Sequence, residues 1–282
     1  MKRTNYVVKY LLVVLLLAAG SLQPTAAQRS NARRKPHRVT RIVSPPTTLM
    51  PAPSPSSTST PLPRAYLDAV KDAEVAEPQE ISRQLVAITE NEPRLRWRGA
   101  GDERRVLVVT WTNYAGYKGQ EGKPMTLPTR LPAIWVTAVP ELKNFCARLP
   151  RTFKNRTLRL EQLLGLPPGK GNTIFVEMWI KPADLFRPSP DPEIVDHEAV
   201  LSLSSKYLQV AEAYATWFEN NKSTYAGDPP YPWTRLGYTY DWGNRRSEVG
   251  LSEFGVVESA ETVIESVTPT LNYCRSAKRR RR

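Results

Sequence analysis

Five runs of apolar and β-branched residues recur along the last two-thirds of the chain: VLVVTWTN at 106–113, AIWVTAV at 133–139, TIFVEMWI at 173–180, LGYTYDW at 236–242 and LSEFGVV at 251–257. Short runs of this kind, rich in Val, Ile, Thr and aromatic residues, predict strands. Helical spacing predicts helices between and before them. AYLDAVKDA comes first, then PQEISRQLVAI with Pro78 suited to a first turn. PELKNFCARL opens on Pro140, and LRLEQLLG closes on Gly165. In SSKYLQVAEAYATWFENN, Leu208, Ala211, Ala215 and Phe218 make one stripe, and Ser204 or Ser205 supplies a cap. The irregular order of strands and helices predicts an α+β domain. Its mixed or antiparallel sheet has about five strands, with helices packed on one face.

The period of two assigns faces within the strands. In TIFVEMWI, Ile174, Val176, Met178 and Ile180 share one side, which reads as core. Phe175, Glu177 and Trp179 share the other and set a carboxylate between two rings. Shielded from water, such a carboxyl is a candidate general acid; open to water or paired with a base, it is ordinary surface. In 235–242, Leu236, Tyr238, Tyr240 and Trp242 fall on the core side, leaving Arg235, Thr239 and Asp241 as the wet side.

Just upstream, TYAGDPPYPWTR carries Tyr225, Tyr231 and Trp233 on a loop stiffened by prolines. Rings held this way lose little freedom on binding and stack on flat or sugar-like ligands. Tyr231, Trp233, Arg235 and Asp241 are therefore the candidate ligand contacts, together with Trp179, and with Trp111 and Trp135 available on the same sheet face.

Composition changes the picture through its distribution. The net charge is +13, which alone points to polyanions. Yet ten of the 40 Lys and Arg lie in residues 1–64 and six in residues 275–282, which leaves 24 against all 27 acidic residues in the stretch between. The predicted fold is slightly acidic, and a basic nucleic-acid groove on it is not expected. Residues 1–27 read as an export signal: Lys2, Arg3 and Lys9, then YLLVVLLLAAG, then small residues up to Ala27. That apolar run falls short of the roughly 20 residues a membrane span needs, so no anchor is expected after cleavage. Residues 28–64 are first basic and then almost wholly Pro, Ser, Thr and small residues, the composition of a solvated spacer. A single domain is expected over 65–274, and a basic tail over 275–282.

Export gives the two cysteines, Cys146 and Cys274, an oxidising setting, and they are expected to pair. The sequons at Asn155 and Asn221 have meaning only in a eukaryotic secretory route. Phosphate-loop, zinc-protease and serine-elbow motifs are missing, and the histidines are His37, in the arm, and His197. His197 stands among Asp191, Glu193, Asp196 and Glu198, an oxygen-rich run whose spacing matches no calcium loop. It reads as a surface loop, and neither metal nor cofactor is expected.

These features predict an exported, extracytoplasmic protein: one disulfide-tied α+β domain on a flexible arm, binding a small molecule, a glycan or an envelope component. A second reading, from another class, is a secreted carboxylate hydrolase acting on glycans. It would use Glu177 with Asp241 or Glu253, and requires two carboxyl groups roughly 5 to 10 Å apart. A third is polyanion binding through the basic ends.

Overall fold

The computed structural model describes residues 61–127, 133–150, 154–203 and 211–276. The segments expected to act as leader and arm lie almost wholly outside these residues, as do the last six of the tail.

Ten strands and five α-helices are seen among the described residues. The helices are α1 (Arg64–Ala73), α2 (Val139–Arg148), α3 (Arg156–Leu163), α4 (Glu212–Asn221) and α5 (Thr270–Ser276). The strands are β1 (Trp97–Arg98), β2 (Arg105–Thr112), β3 (Pro124–Thr126), β4 (Ile134–Ala138) and β5 (Ile174–Ile180). They continue with β6 (Leu185–Phe186), β7 (Tyr238–Tyr240), β8 (Val249–Ser252), β9 (Phe254–Val256) and β10 (Glu261–Pro269). Eight strands form one antiparallel sheet in the order β3-β10-β5-β2-β4-β9-β6, with β1 paired to β2; β7 and β8 form a separate ribbon. The class is α+β as the sequence predicts, with more strands than the five runs suggest.

Alternation splits the sheet into two cores. Val106, Val108, Val176, Met178, Ile180, Val136 and Ile264 point to one side, beneath connecting segments that bring Val86, Ile88, Leu127 and Ile194 and a 3₁₀ turn that brings Tyr117. Leu107, Val109, Trp111, Phe175 and Trp179 point to the other, against Leu142 and Cys146 of α2, Leu160 and Leu163 of α3, and Tyr273 and Cys274 of α5. A third cluster sets Tyr214 and Phe218 of α4 against Phe186, Trp233 and Ala133. At about 25 cal/mol per Å² of apolar surface, this two-sided burial is the chief stabilising term. The pairing Cys146–Cys274 is present, closing a sequence separation of 128 residues and tying α2 to α5.

Three sequence readings are corrected. PQEISRQLVAI is helical only as a 3₁₀ turn at Pro78–Glu80. The following Leu85, Val86, Ala87 and Ile88 are all buried, which suits an extended segment closed in on both sides. Its backbone is satisfied from elsewhere: Leu85 N–H donates to His197 O, Ile88 N–H to Ile194 O and Val86 N–H to the Ser252 hydroxyl. The run 185–198 is consequently less exposed than a surface loop, and Arg187 within it is 1% exposed. Finally, LSEFGVV divides: its first part pairs with β7 and its second with β4 and β6.

Candidate functional site

The register places a row of side chains across the helix-covered face. Ser266 of β10 pairs with Glu177 of β5, which pairs with Val109 of β2, which pairs with Thr137 of β4. Continuing the β4–β9 register one step beyond Val136 and Phe254 sets Glu253 beside Thr137. Glu177 and Glu253 thus share a face and a row, three strands apart, or about 14 Å between backbones at the usual interstrand spacing.

Above the Val109–Thr137–Glu253 end of this row lies a cleft of about 660 Å³. Val109, Trp111, Trp135 and Thr137 are strand residues on its wall. The 164–172 segment that follows α3 adds Leu164, Leu166, Lys170 and Asn172, and the proline-rich loop adds Tyr231, Pro232 and Trp233. The Gly165 turn that ends α3 has φ +65°, a conformation open to glycine, and a β-carbon there would lie 3.4 Å from the Tyr240 backbone N and O. A side chain there would press on one wall of the cleft.

The rings are held in place by the fold. Trp111 stacks on Phe175 with centroids 5.2 Å apart, and its indole N–H donates to the Thr270 hydroxyl at 2.7 Å. Trp135 meets Trp233 edge-on at 6.2 Å and also contacts Trp217. The Tyr225 hydroxyl donates to Trp233 O at 2.5 Å, pinning the loop. At the mouth, the exposed Lys170 donates to the Tyr231 hydroxyl and lies over its ring. A cleft of this size, walled by rings that need no reorganisation, suits a small organic ligand.

Glu253 is the one carboxyl on the cleft wall among the described residues. Its backbone N–H donates to Gly237 O, which fixes the bend between β8 and β9. Its carboxyl meets no counter-ion and no donor among the described residues, and burial alone pushes its pKa up to about 8.

The other residues singled out in the sequence lie elsewhere. Glu177 is buried and fully engaged: Lys143 at 2.9 Å, the Tyr273 hydroxyl at 2.8 Å and the Ser266 hydroxyl at 3.2 Å surround it. Asp241 is 3% exposed and accepts both guanidinium nitrogens of Arg159, at 2.8 and 2.6 Å, so it is not on a wet side. Arg159 of α3 supplies the countercharge that period-two reasoning within 235–242 does not reveal. Arg235 has φ 60° and donates to Ala73 O and Glu74 O at the end of α1. Trp179 donates to Glu265 at 2.8 Å and lies on the same face as Trp111 but off the cleft wall. Tyr231, Trp233 and Glu253 are thus brought together with Trp111 and Trp135. Lys170 and Thr137 join them through long-range pairing that no local motif signals.

Two further polar groups stand apart. Asp191, Glu193 and Asp196 bring carboxylate oxygens within 4.8 Å of one another. Arg187 backs them, 3.3 Å from Asp196, and donates to the backbone oxygens of Asp196 and Glu198. Burial, then the neighbouring Asp196, pushes Glu193 up to about 7. A second, polar cavity of about 530 Å³ is lined by Arg94, Glu141, Asn144, Arg148 and Ser252. There Glu141 accepts from the Ser252 N–H and hydroxyl while burial raises it to about 7.

Among the described residues no helix is long and apolar enough to cross a membrane. No protein-family model, curated protein or solved structure matches the chain, so the site rests on its own geometry.

Proposed function

We propose that this chain is an exported binding protein whose ligand, a small organic molecule, sits in the aromatic cleft between β2, β4 and the 231–240 loop. The carrying observation is the cleft itself: about 660 Å³ walled by Trp111, Trp135, Tyr231 and Trp233, with a single carboxyl on the wall. Its volume lies inside the range of about 300 to 1,000 Å³ typical of small-molecule sites. The Cys146–Cys274 bond is compatible with an oxidising compartment. The leader-like start and the proline-rich run give the export reading its sequence support.

Binding is favoured over carboxylate hydrolysis because the acids do not converge. Glu177 is held by Lys143, Tyr273 and Ser266, and Asp241 by Arg159. Glu253 faces the cleft without a second acid on its wall among the described residues, whereas glycoside hydrolysis uses a pair.

A screen of ring-containing fragments and short oligosaccharides, read by indole fluorescence, tests the proposal. Saturable hits whose signal is lost in Trp135→Ala support it. Hits that bind Trp135→Ala unchanged, or a screen without any saturable hit, overturn it.

A further inference from the structure

Resting on that binding reading, we infer that the cleft selects an organic cation, an alkylated ammonium, with Glu253 as its counter-ion and the rings of Trp135 and Trp233 as its walls. Two independent features converge on this class. Glu253 is the one acid on the wall, is half-buried and has no protein partner among the described residues, so its carboxylate is free to pair with a cationic occupant. Around it stand aromatic faces: Trp135 shares Glu253's side of the sheet at the diagonal position, since its direct partner is Gly255. The place a side chain at Gly255 would take is filled by the Phe186 ring, which packs edge-on to Trp217 and backs this part of the wall. Trp233 closes the far side, edge-on to Trp135 at 6.2 Å. Ring faces and one carboxylate are the elements that hold ammonium groups.

The lining also discriminates among cations. A primary ammonium has three N–H donors to satisfy, and hydroxyls on this wall are already engaged, Thr112 accepting the Tyr114 N–H and Thr239 the Leu251 N–H. An alkylated ammonium, whose charge is spread over methyl groups, matches it better. Lys170, the basic residue on the wall, is exposed and engaged with Tyr231 at the mouth, so it leaves the interior field to Glu253.

Cation binding is linked to pH. The ammonium pairs with the ionised carboxyl, so affinity rises as pH approaches about 8, where the empty cleft holds Glu253 half-protonated, and levels off above it. Below that midpoint the change approaches about tenfold per pH unit. The other titratable groups around the site are Lys170, Tyr114, Tyr117, Tyr231 and Tyr240 on the wall, and Glu141 behind Ser252. Burial, Glu141's largest influence, raises it to about 7, so it is the group whose titration must be separated from that of Glu253.

The experiment compares choline with 3,3-dimethylbutan-1-ol, its uncharged carbon isostere, by calorimetric titration of the full exported protein at pH 6 and pH 8.5. The expected result is choline favoured about tenfold or more. Its affinity should rise between the two pH values in wild type and in Glu141→Gln; in Glu253→Gln the pH dependence should vanish and the preference for choline should shrink to what the rings alone supply. Phosphatidylcholine vesicles, tested by co-sedimentation, separate the sources: capture by vesicles as well as choline assigns a lipid headgroup, and choline alone assigns a free cation. Equal binding of choline and its isostere overturns the cation reading and leaves the binding cleft standing. Fragment hits without choline binding do the same. Silence from choline and from every fragment overturns both. If Glu253→Gln is not recovered folded, the comparison of the two isosteres on wild type decides alone.

Discussion

Asp241→Asn separates an architectural acid from a ligand contact. Asp241 joins the end of β7 to α3 through two short bonds from Arg159, and its Oδ1 also accepts the Gly243 N–H at 3.2 Å. The two side chains are 4% and 15% exposed, and the Arg159 guanidinium lies over the Phe145 ring at 4.9 Å. The amide keeps the shape but loses the charge and one acceptor, stranding a guanidinium that has little water. Breaking a buried pair from one side costs about 3 to 5 kcal/mol, because the surviving charge stays desolvated. The residual exposure of Arg159 and the oxygen Asn retains lower the expectation to about 2 to 4 kcal/mol. Urea unfolding followed by tryptophan emission measures this directly, as a shift in midpoint at constant slope. In a double-mutant cycle, Arg159→Met with Asp241→Leu should cost much less than the two single changes summed. Ligand affinity in the cleft should stay put. A loss under 0.5 kcal/mol, or an unchanged midpoint with weakened binding, would refute the structural role and return Asp241 to the site.

Replacing both cysteines by alanine releases a loop of 128 residues' separation, worth about 5 kcal/mol of unfolded-state entropy as an upper figure. The urea midpoint of Cys146→Ala/Cys274→Ala should fall by most of that, and a fall under about 1 kcal/mol would contradict the loop-closure account. Stability should also decline as pH rises through the window from about 4.5 to about 8. Burial holds Glu253 up at about 8, and Glu141 and Glu193 at about 7, so the folded state keeps protons that the unfolded chain releases. Glu253→Gln should flatten the decline in urea midpoints measured at pH 5, 6.5 and 8; a stability that climbs across this window, or a variant that runs parallel to wild type, would contradict it.

Local chemistry made the central strands readable. β2, β4 and β5 are dense in Val, Ile and Trp, and Pro140 and Gly165 mark the start of α2 and the end of α3. β10 escaped the same reasoning for a physical cause. A bulge between Ile264 and Ser266 reverses the alternation, so Ile264 and Val267 share a face although their spacing is odd. The buried Leu85–Ile88 run was misread because continuous apolarity fits a helix as well as an extended segment closed in on both sides. The aromatic loop at 231–233 was visible as a stretch of rings, but its partners Trp111, Trp135 and Glu253 meet it only through strand register. Glu177 is a candidate acid in the sequence because rings stand two residues to either side, with a solvent-facing or base-paired carboxylate as the alternative. Its actual environment is Lys143, Ser266 and Tyr273, from three other elements, α2, β10 and α5.

Seven indoles distributed over the fold make the cleft directly observable. In a ¹⁵N–¹H spectrum recorded at pH 8 during titration with choline, the Trp111, Trp135 and Trp233 indole signals should move together and saturate. Those of Trp97 and Trp179, which lie off the cleft wall, should stay fixed. Saturable movement confined to Trp97 or Trp179, or no movement of Trp135 and Trp233 with choline or any fragment, would contradict the placement of a ligand between β2, β4 and the 231–240 loop.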